Sequence, residues 1–288
     1  MLNDLQRTVL TRFCQALIDQ ESARVIVPPM QPRSGFWFGG GNMVEDADGT
    51  FYLCGRYRNF GDSRTGLAAG ERGLELAIFR STDRGANFEK ILSFSKPDLN
   101  IGDLTVLSIE GSALRIGEQA GNPLVELFVS TEKAGIGYPT GLESFLKPGA
   151  GVWTIERLAA DSIGGLVDAS VETILSCSDP QYLHVKDPFL YEVGDKGAGN
   201  EETVLGFCTH PFSWSSSNTG YTRRPAGAAA FGPPDYTFFP RGATWDVAMS
   251  RATAMLRVPA VGLFADSEPM TLIFYDGGES LRNLDEHK

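Results

Sequence analysis

Several residue types are scarce in this 288-residue chain, and each scarcity narrows what it does. There are only three histidines, and the four cysteines (Cys14, Cys54, Cys177 and Cys208) lie far apart with no C-x-x-C pair. That pattern excludes the usual zinc and redox motifs, so no metal and no cofactor is expected and the thiols read as buried and free. Positive charge is also short: Lys+Arg is 25 against 36 Asp+Glu, a formal net charge of −11. Such a balance argues against a dedicated nucleic-acid binder and against an anionic-membrane binder. No segment approaches the ~18 apolar residues of a spanning helix. The first 25 residues carry charges throughout and lack an apolar signal core, which predicts a cytoplasmic chain. Neither G-x-S-x-G nor H-E-x-x-H occurs, and the glycines of GFWFGGG have no strand–helix context, so serine-hydrolase, zincin and dinucleotide readings lose their support.

The composition that remains is globular and turn-rich. Hydrophobic residues make up 42 % and charged ones 21 %, with 33 Gly and 16 Pro, which favours many short strands. One helix is expected over residues 3–22: Leu5, Val9, Phe13 and Leu17 recur at spacing four, Asn3 or Asp4 caps the start, and Pro28, Pro29 and Pro32 forbid continuation. This helix packs on a neighbouring surface or closes an oligomer interface. The division predicted is a helix and linker over 1–30 and a β domain over 31–288. Within the latter, Asp48-Gly49 between two β-prone runs marks a hairpin, and residues 36–95 read as four antiparallel strands. Similar units follow: strands at 104–109, 124–130 and 152–158, then 182–193 paired with 203–208, with 244–257 closing a third unit and 263–275 opening a fourth. The stretch 212–224 reads as a long rim loop. Four-stranded units of about 50 residues predict an all-β propeller, five blades favoured, with an N-terminal α-helix; a β-sandwich is the alternative.

Two motifs resemble known families. Ser81-Thr82-Asp83-Arg84-Gly85-Ala86-Asn87-Phe88 fits S-x-D-x-G-x-x-aromatic and, with the DGTFYLCGRYRNFGD stretch before it, resembles the Asp-box blade of sialidase-type propellers. There the aspartate is structural, so the resemblance implies a turn and not a catalyst. His184-Val185-Lys186-Asp187-Pro188-Phe189 is similar to the D-P strand openings of arabinanase- and xylosidase-type propellers and related mannoside phosphorylases. That resemblance implies an Asp187 facing a central channel, holding substrate or tuning the general acid. The chain departs from both families: Gly39-Gly40-Gly41 stands where the arabinanase type opens with a base aspartate, and Arg33 only loosely replaces the sialidase arginine.

Glycoside hydrolysis requires two carboxyl groups about the scissile bond. The candidates are Asp62, flanked by the two arginines Arg56 and Arg58; Asp187; and Asp276 or Glu279, where an apolar strand runs into an acidic, glycine-rich loop. For substrate contact the candidates are Arg56, Arg58 and Arg241 as anion and hydroxyl grips, His184 and His210 at strand ends, and Trp214, Trp245 and Asp246 beside sugar faces. The expected activity is hydrolysis of a glycosidic bond in a carbohydrate. A non-catalytic propeller that binds glycan or protein, and a sugar phosphorylase on the same scaffold, are the competing expectations.

Overall fold

The computed structural model describes residues 2–60, 71–119, 121–194 and 202–280. The helix forms over Asp4–Leu17 (α1), shorter than the periodicity predicts. Asn3 caps it: its side chain accepts from the Gln6 backbone N–H while the Gln6 side chain accepts from the Asn3 backbone N–H. Gln6 also donates to the Leu263 carbonyl and the Ser267 hydroxyl, at 2.9 and 3.0 Å, and so ties α1 to the β domain. The predicted stripe of Leu5, Phe13 and Leu17 stays exposed.

The remainder is an all-β propeller, built as four sheets in chain order. The first holds β1 (Trp37–Gly39), β2 (Met43–Glu45), β3 (Phe51–Arg58), β4 (Glu75–Ser81) and β5 (Glu89–Ser95). The second holds β6 (Thr105–Gln119), β7 (Asn122–Ala134), β8 (Val152–Ala160) and β9 (Glu172–Leu175). The third holds β10 (His184–Val193), β11 (Glu202–His210), β12 (Asn218–Arg224) and β13 (Asp235–Phe239), and the fourth β14 (Met249–Val258) and β15 (Met270–Gly278). Every ladder is antiparallel between strands consecutive in the chain, apart from β1, which pairs with β3. The described residues thus supply four sheets of the five favoured from sequence.

Two boundaries differ from the sequence reading. Residues 218–224, read as rim loop, are β12, and the third blade closes with β13 rather than with 244–257. Serine, asparagine and glycine conceal the strand, because β12 is held by packing on both sides rather than by intrinsic preference. The 244–257 segment instead delivers β14, the inner strand of the fourth sheet.

Why the blades stack follows from the period-two alternation of β7. Leu127 and Val129 face the first sheet, meeting Leu76, Ile78 and Phe94, whereas Phe128 faces the third, meeting Leu205 and Phe207. A strand apolar on both faces needs a neighbour on each side, and radial repetition provides it. The S-x-D-x-G hairpin between β4 and β5 closes on its own side chains: Asp83 accepts from Ser81, from the Asn87 backbone N–H and from the Asn87 amide at 2.7–2.9 Å. Arg84 and Gly85 there take φ of +58° and +82°.

Candidate active site

Each inner strand carries at least one extra residue, and β6 carries a second, at Leu107. In the first sheet, four steps from Gly39 to Met43 oppose three steps on β3, from Arg56 to Leu53. The β6 register slips between Ile109 and Ser112, that of β10 between Lys186 and Phe189, and that of β14 between Ala252 and Ala254. A bulge leaves its extra residue unpaired and re-aims the side chain. The residues so displaced are Gly40, Glu110-Gly111, Asp187-Pro188 and Thr253.

Neighbouring bulges interlock. The Ser112 N–H donates to the Gly40 carbonyl at 2.7 Å. The Asp187 N–H donates to the Ser130 hydroxyl at 3.1 Å, that hydroxyl donates to the Gly111 carbonyl at 3.1 Å, and the Gly111 N–H donates to Asp187 Oδ1 at 3.3 Å. The backbones approach so closely that a Cβ on Gly111 would stand 2.7 Å from the Asp187 Cα. Asp187 itself holds φ at +52°, a region that Asp tolerates better than most residues, and Pro188 has no N–H to leave unpaired.

This packing brings charges from all four sheets together. Arg56 of β3 lies over the Trp37 ring at 4.8 Å and forms an ion pair with Glu110. Lys186 Nζ stands 3.8 Å from Glu110 Oε2 and 3.6 Å from Asp187 Oδ2. The separation of those two carboxylate oxygens therefore cannot exceed these distances laid end to end, which lies inside the ~9.5 Å outer limit of a glycosidase pair. Cys208 donates its thiol to Asp187 Oδ2 at 3.3 Å. The Asp187 side chain remains 36 % exposed, against 12 % for Glu110, so Asp187 offers the more open edge. Burial pushes its pKa up, but Lys186, Arg251 and Arg56 outweigh that and hold its carboxyl well below the usual range. Burial and the Asp187 charge drive the Cys208 thiol far up, so it stays protonated. Lys186 is depressed by burial yet raised overall by Asp187 and Glu110. Asp187 is thus an ionised carboxylate suited to attack, to base catalysis or to stabilising positive charge, and not a proton donor.

Of the other sequence candidates, some lie in or beside this cluster and some away from it. Asp62 lies outside the described residues. Asp276 stands opposite Arg251 in the β14–β15 ladder, its Oδ2 3.8 Å from Arg251 Nη2, with its side chain 62 % exposed. Glu279 is exposed just beyond β15. Arg56 joins the hub, whereas Arg58 bonds the Asn59 carbonyl at the end of β3. His184 is fully buried: Nε2 meets the Tyr138 hydroxyl at 3.0 Å and Nδ1 accepts from the Trp153 N–H at 3.5 Å. Burial, then the nearby Lys186 charge, lowers its pKa to about 3, so it is neutral. His210 bonds the Ser216 carbonyl at 3.1 Å, and Trp214, at φ +54°, stacks on His184 with centroids 4.3 Å apart. Those three residues form a packed wall beside the hub. Arg241 lies on a rim cavity, Trp245 stacks on Tyr275, and Asp246 is buried against Gly242 and accepts from the Tyr275 hydroxyl.

Sequence reasoning missed Glu110, Lys186 and Arg251 as members of the cluster. The signal for the first was available: an Glu-Gly step interrupts an otherwise alternating run, and glycine within a strand marks a bulge or a close approach. Among the described residues no group of three or more His, Cys, Asp or Glu is placed to hold a metal ion. No helix among them is long and apolar enough to cross a membrane.

No protein-family model matches the chain, and no curated protein matches its sequence. Solved structures do match in fold. The GH93 α-L-arabinofuranosidase of Fusarium graminearum in complex with arabinobiose aligns at 14 % identity and TM-score 0.50, over 88 % of this chain and 61 % of that one. The Penicillium chrysogenum α-L-arabinanase complexed with arabinobiose aligns at 14 % identity and TM-score 0.44, over 86 % and 64 %. This chain therefore spans less than two thirds of either. At such identity the first match shows a shared fold alone, the β-propeller.

Proposed function

We propose that this chain is a carbohydrate-active hydrolase in which Glu110 and Asp187 form the carboxylate pair. The observation that carries the reading is their equivalence: both are the displaced bulge residue of an inner strand, on adjacent blades, bridged by one ammonium. Asp187, ionised and the more open of the two, serves as nucleophile or general base. Glu110 completes the pair across the scissile bond, and Arg56, Lys186 and Arg251 orient it and hold substrate oxygens. The structural match to a GH93 α-L-arabinofuranosidase makes an α-L-arabinofuranoside the first substrate to try.

The test is release of sugar from an aryl α-L-arabinofuranoside and from arabino-oligosaccharides. The wild type turns over, and Asp187→Asn loses at least ~100-fold, the lower end for general acid–base catalysis, with little change in melting temperature. A second reading is non-catalytic glycan binding. It is favoured by Gly40, which leaves the first blade without a carboxylate at the shared position, and by the cations that engage both carboxylates. Glycan binding without any hydrolysis selects that reading, and turnover that requires phosphate selects phosphorolysis.

A further inference from the structure

We infer that a cavity on the rim of the third blade is a second sugar-binding subsite, which reads an oligosaccharide chain beyond the unit held at the hub. The inference rests on the carbohydrate reading above but on different residues. The cavity encloses about 490 Å³, within the ~300–1,000 Å³ of small-molecule sites. Its lining mixes one aromatic ring (Tyr182), two amides (Gln181 and Asn218), hydroxyls (Ser215 and Thr237) and one guanidinium (Arg241), and contains no carboxylate. Donors and acceptors spread around a flat ring match a polyol with one apolar face.

The lining is held in place. Tyr182 is stacked on Tyr236 with centroids 5.1 Å apart and planes 11° from parallel, which fixes its ring. Arg241 donates to the Val247 carbonyl at 3.2 Å, and both residues line the cavity, which anchors the guanidinium there. Thr237 is pinned by Asp235, whose carboxylate accepts from its N–H and its hydroxyl at 2.8 and 2.9 Å.

The cavity is coupled to the hub by one loop. Pro211, Ser215 and Ser216 line the cavity. The Ser216 carbonyl holds His210, which pairs in register with His184, two residues before Lys186. Trp214, at the centre of the loop, stacks on that histidine pair. A second cavity, between the first two blades and about 560 Å³, has a different character: aliphatic Ile91, Leu92 and Ile116 with Tyr52 and Arg80, edged by the carboxylates of Asp46, Glu118 and Asp161. Of these two, the rim cavity alone is lined without a carboxylate and so presents neutral and cationic groups to a neutral polyol.

The experiment is isothermal titration of Asp187→Asn, which does not consume its ligand, with arabino-, xylo- and galacto-oligosaccharides of two and six units. At least one hexamer binds about tenfold or more tightly than its dimer. Adding Arg241→Ala, or separately Asn218→Ala, removes that advantage of length. The proposal is overturned if no hexamer outbinds its dimer, or if both added substitutions leave the advantage intact. The two readings fail separately. Length-dependent, Arg241-sensitive binding by a wild type that hydrolyses nothing discards the hydrolase and keeps the subsite. Turnover at the hub with no length dependence does the reverse.

Discussion

Asp83 and Asp187 both titrate below the ordinary carboxylate range, and how each does so separates two regions of the molecule. Asp83, on the first blade's outer hairpin, is stabilised by hydrogen bonds from the Asn87 backbone, the Asn87 side chain and Ser81, all within four residues of itself, and its pKa falls to about 2. Asp187 is stabilised against burial by Lys186, Arg251 and Arg56, which belong to three different sheets. The first is a turn satisfied by its own loop. The second is a charge assembled by the fold, still open on one edge. A carboxylate whose oxygens are filled by local donors has nothing left for a ligand, whereas one held by distant cations beside an open edge does.

The sharpest break of this comparison is by neutralising each aspartate. Asp187→Asn, which keeps size and tolerates the positive φ, lowers kcat by about 10²–10⁴-fold. Asp83→Asn leaves kcat within about twofold, since its role ends at the turn. Steady-state kinetics on one aryl glycoside compare the two directly.

The next largest effect is at Gly111. The Cβ of Gly111→Ala meets the Asp187 backbone, which cannot yield as a side-chain tip would, so the second and third blades must separate there. A loss of roughly 1–3 kcal/mol in denaturant unfolding is expected, as for other overpacked sites, accompanied by loss of activity. A substitution at Gly137, which has open space around its Cβ position and an ordinary backbone φ, provides the contrast.

A smaller effect is the response to acid. His184 is buried neutral with a folded pKa of about 3 against an ordinary 6.5, and burial, then the Lys186 charge, also lowers His210 well below its ordinary value. For a base with a depressed folded pKa, the unfolded chain binds the extra proton. Stability is therefore complete above pH 6.5 and declines as pH falls toward 3, by at most about 1.4 kcal/mol per pH unit for each histidine. His184→Gln removes one proton's worth of that slope, read as the urea midpoint against pH. The smallest effect is at Asp83: its contribution is present above pH 3.8 and lost as pH falls through about 2, so Asp83→Asn flattens the stability profile only in that window.

What was legible in the sequence follows the same local-versus-distant division. The Asp48-Gly49 hairpin, the S-x-D-x-G turn, the capped helix and most strand positions were readable, because a few adjacent residues determine each. Asp187 was singled out by its Asp-Pro step, and Arg56 as one of the two arginines flanking Asp62. Glu110 was not, since its meaning depends on a register slip against β7 that only pairing creates. Nor was Arg251, which reaches the hub because 244–257 opens a sheet instead of closing one. The helix stripe of Leu5, Phe13 and Leu17 shows the opposite failure: a regular apolar pattern that the β domain does not cover.

The proposed function makes Glu110 and Asp187, the bulge residues of neighbouring inner strands, one catalytic unit. A double-mutant cycle on kcat/KM measures that directly, using Glu110→Gln, Asp187→Asn and the pair together. Groups that act as a unit are strongly non-additive, so the double variant should lose no more than about what the worse single variant loses. Additive losses, or a Glu110→Gln enzyme as active as the wild type, would contradict the account.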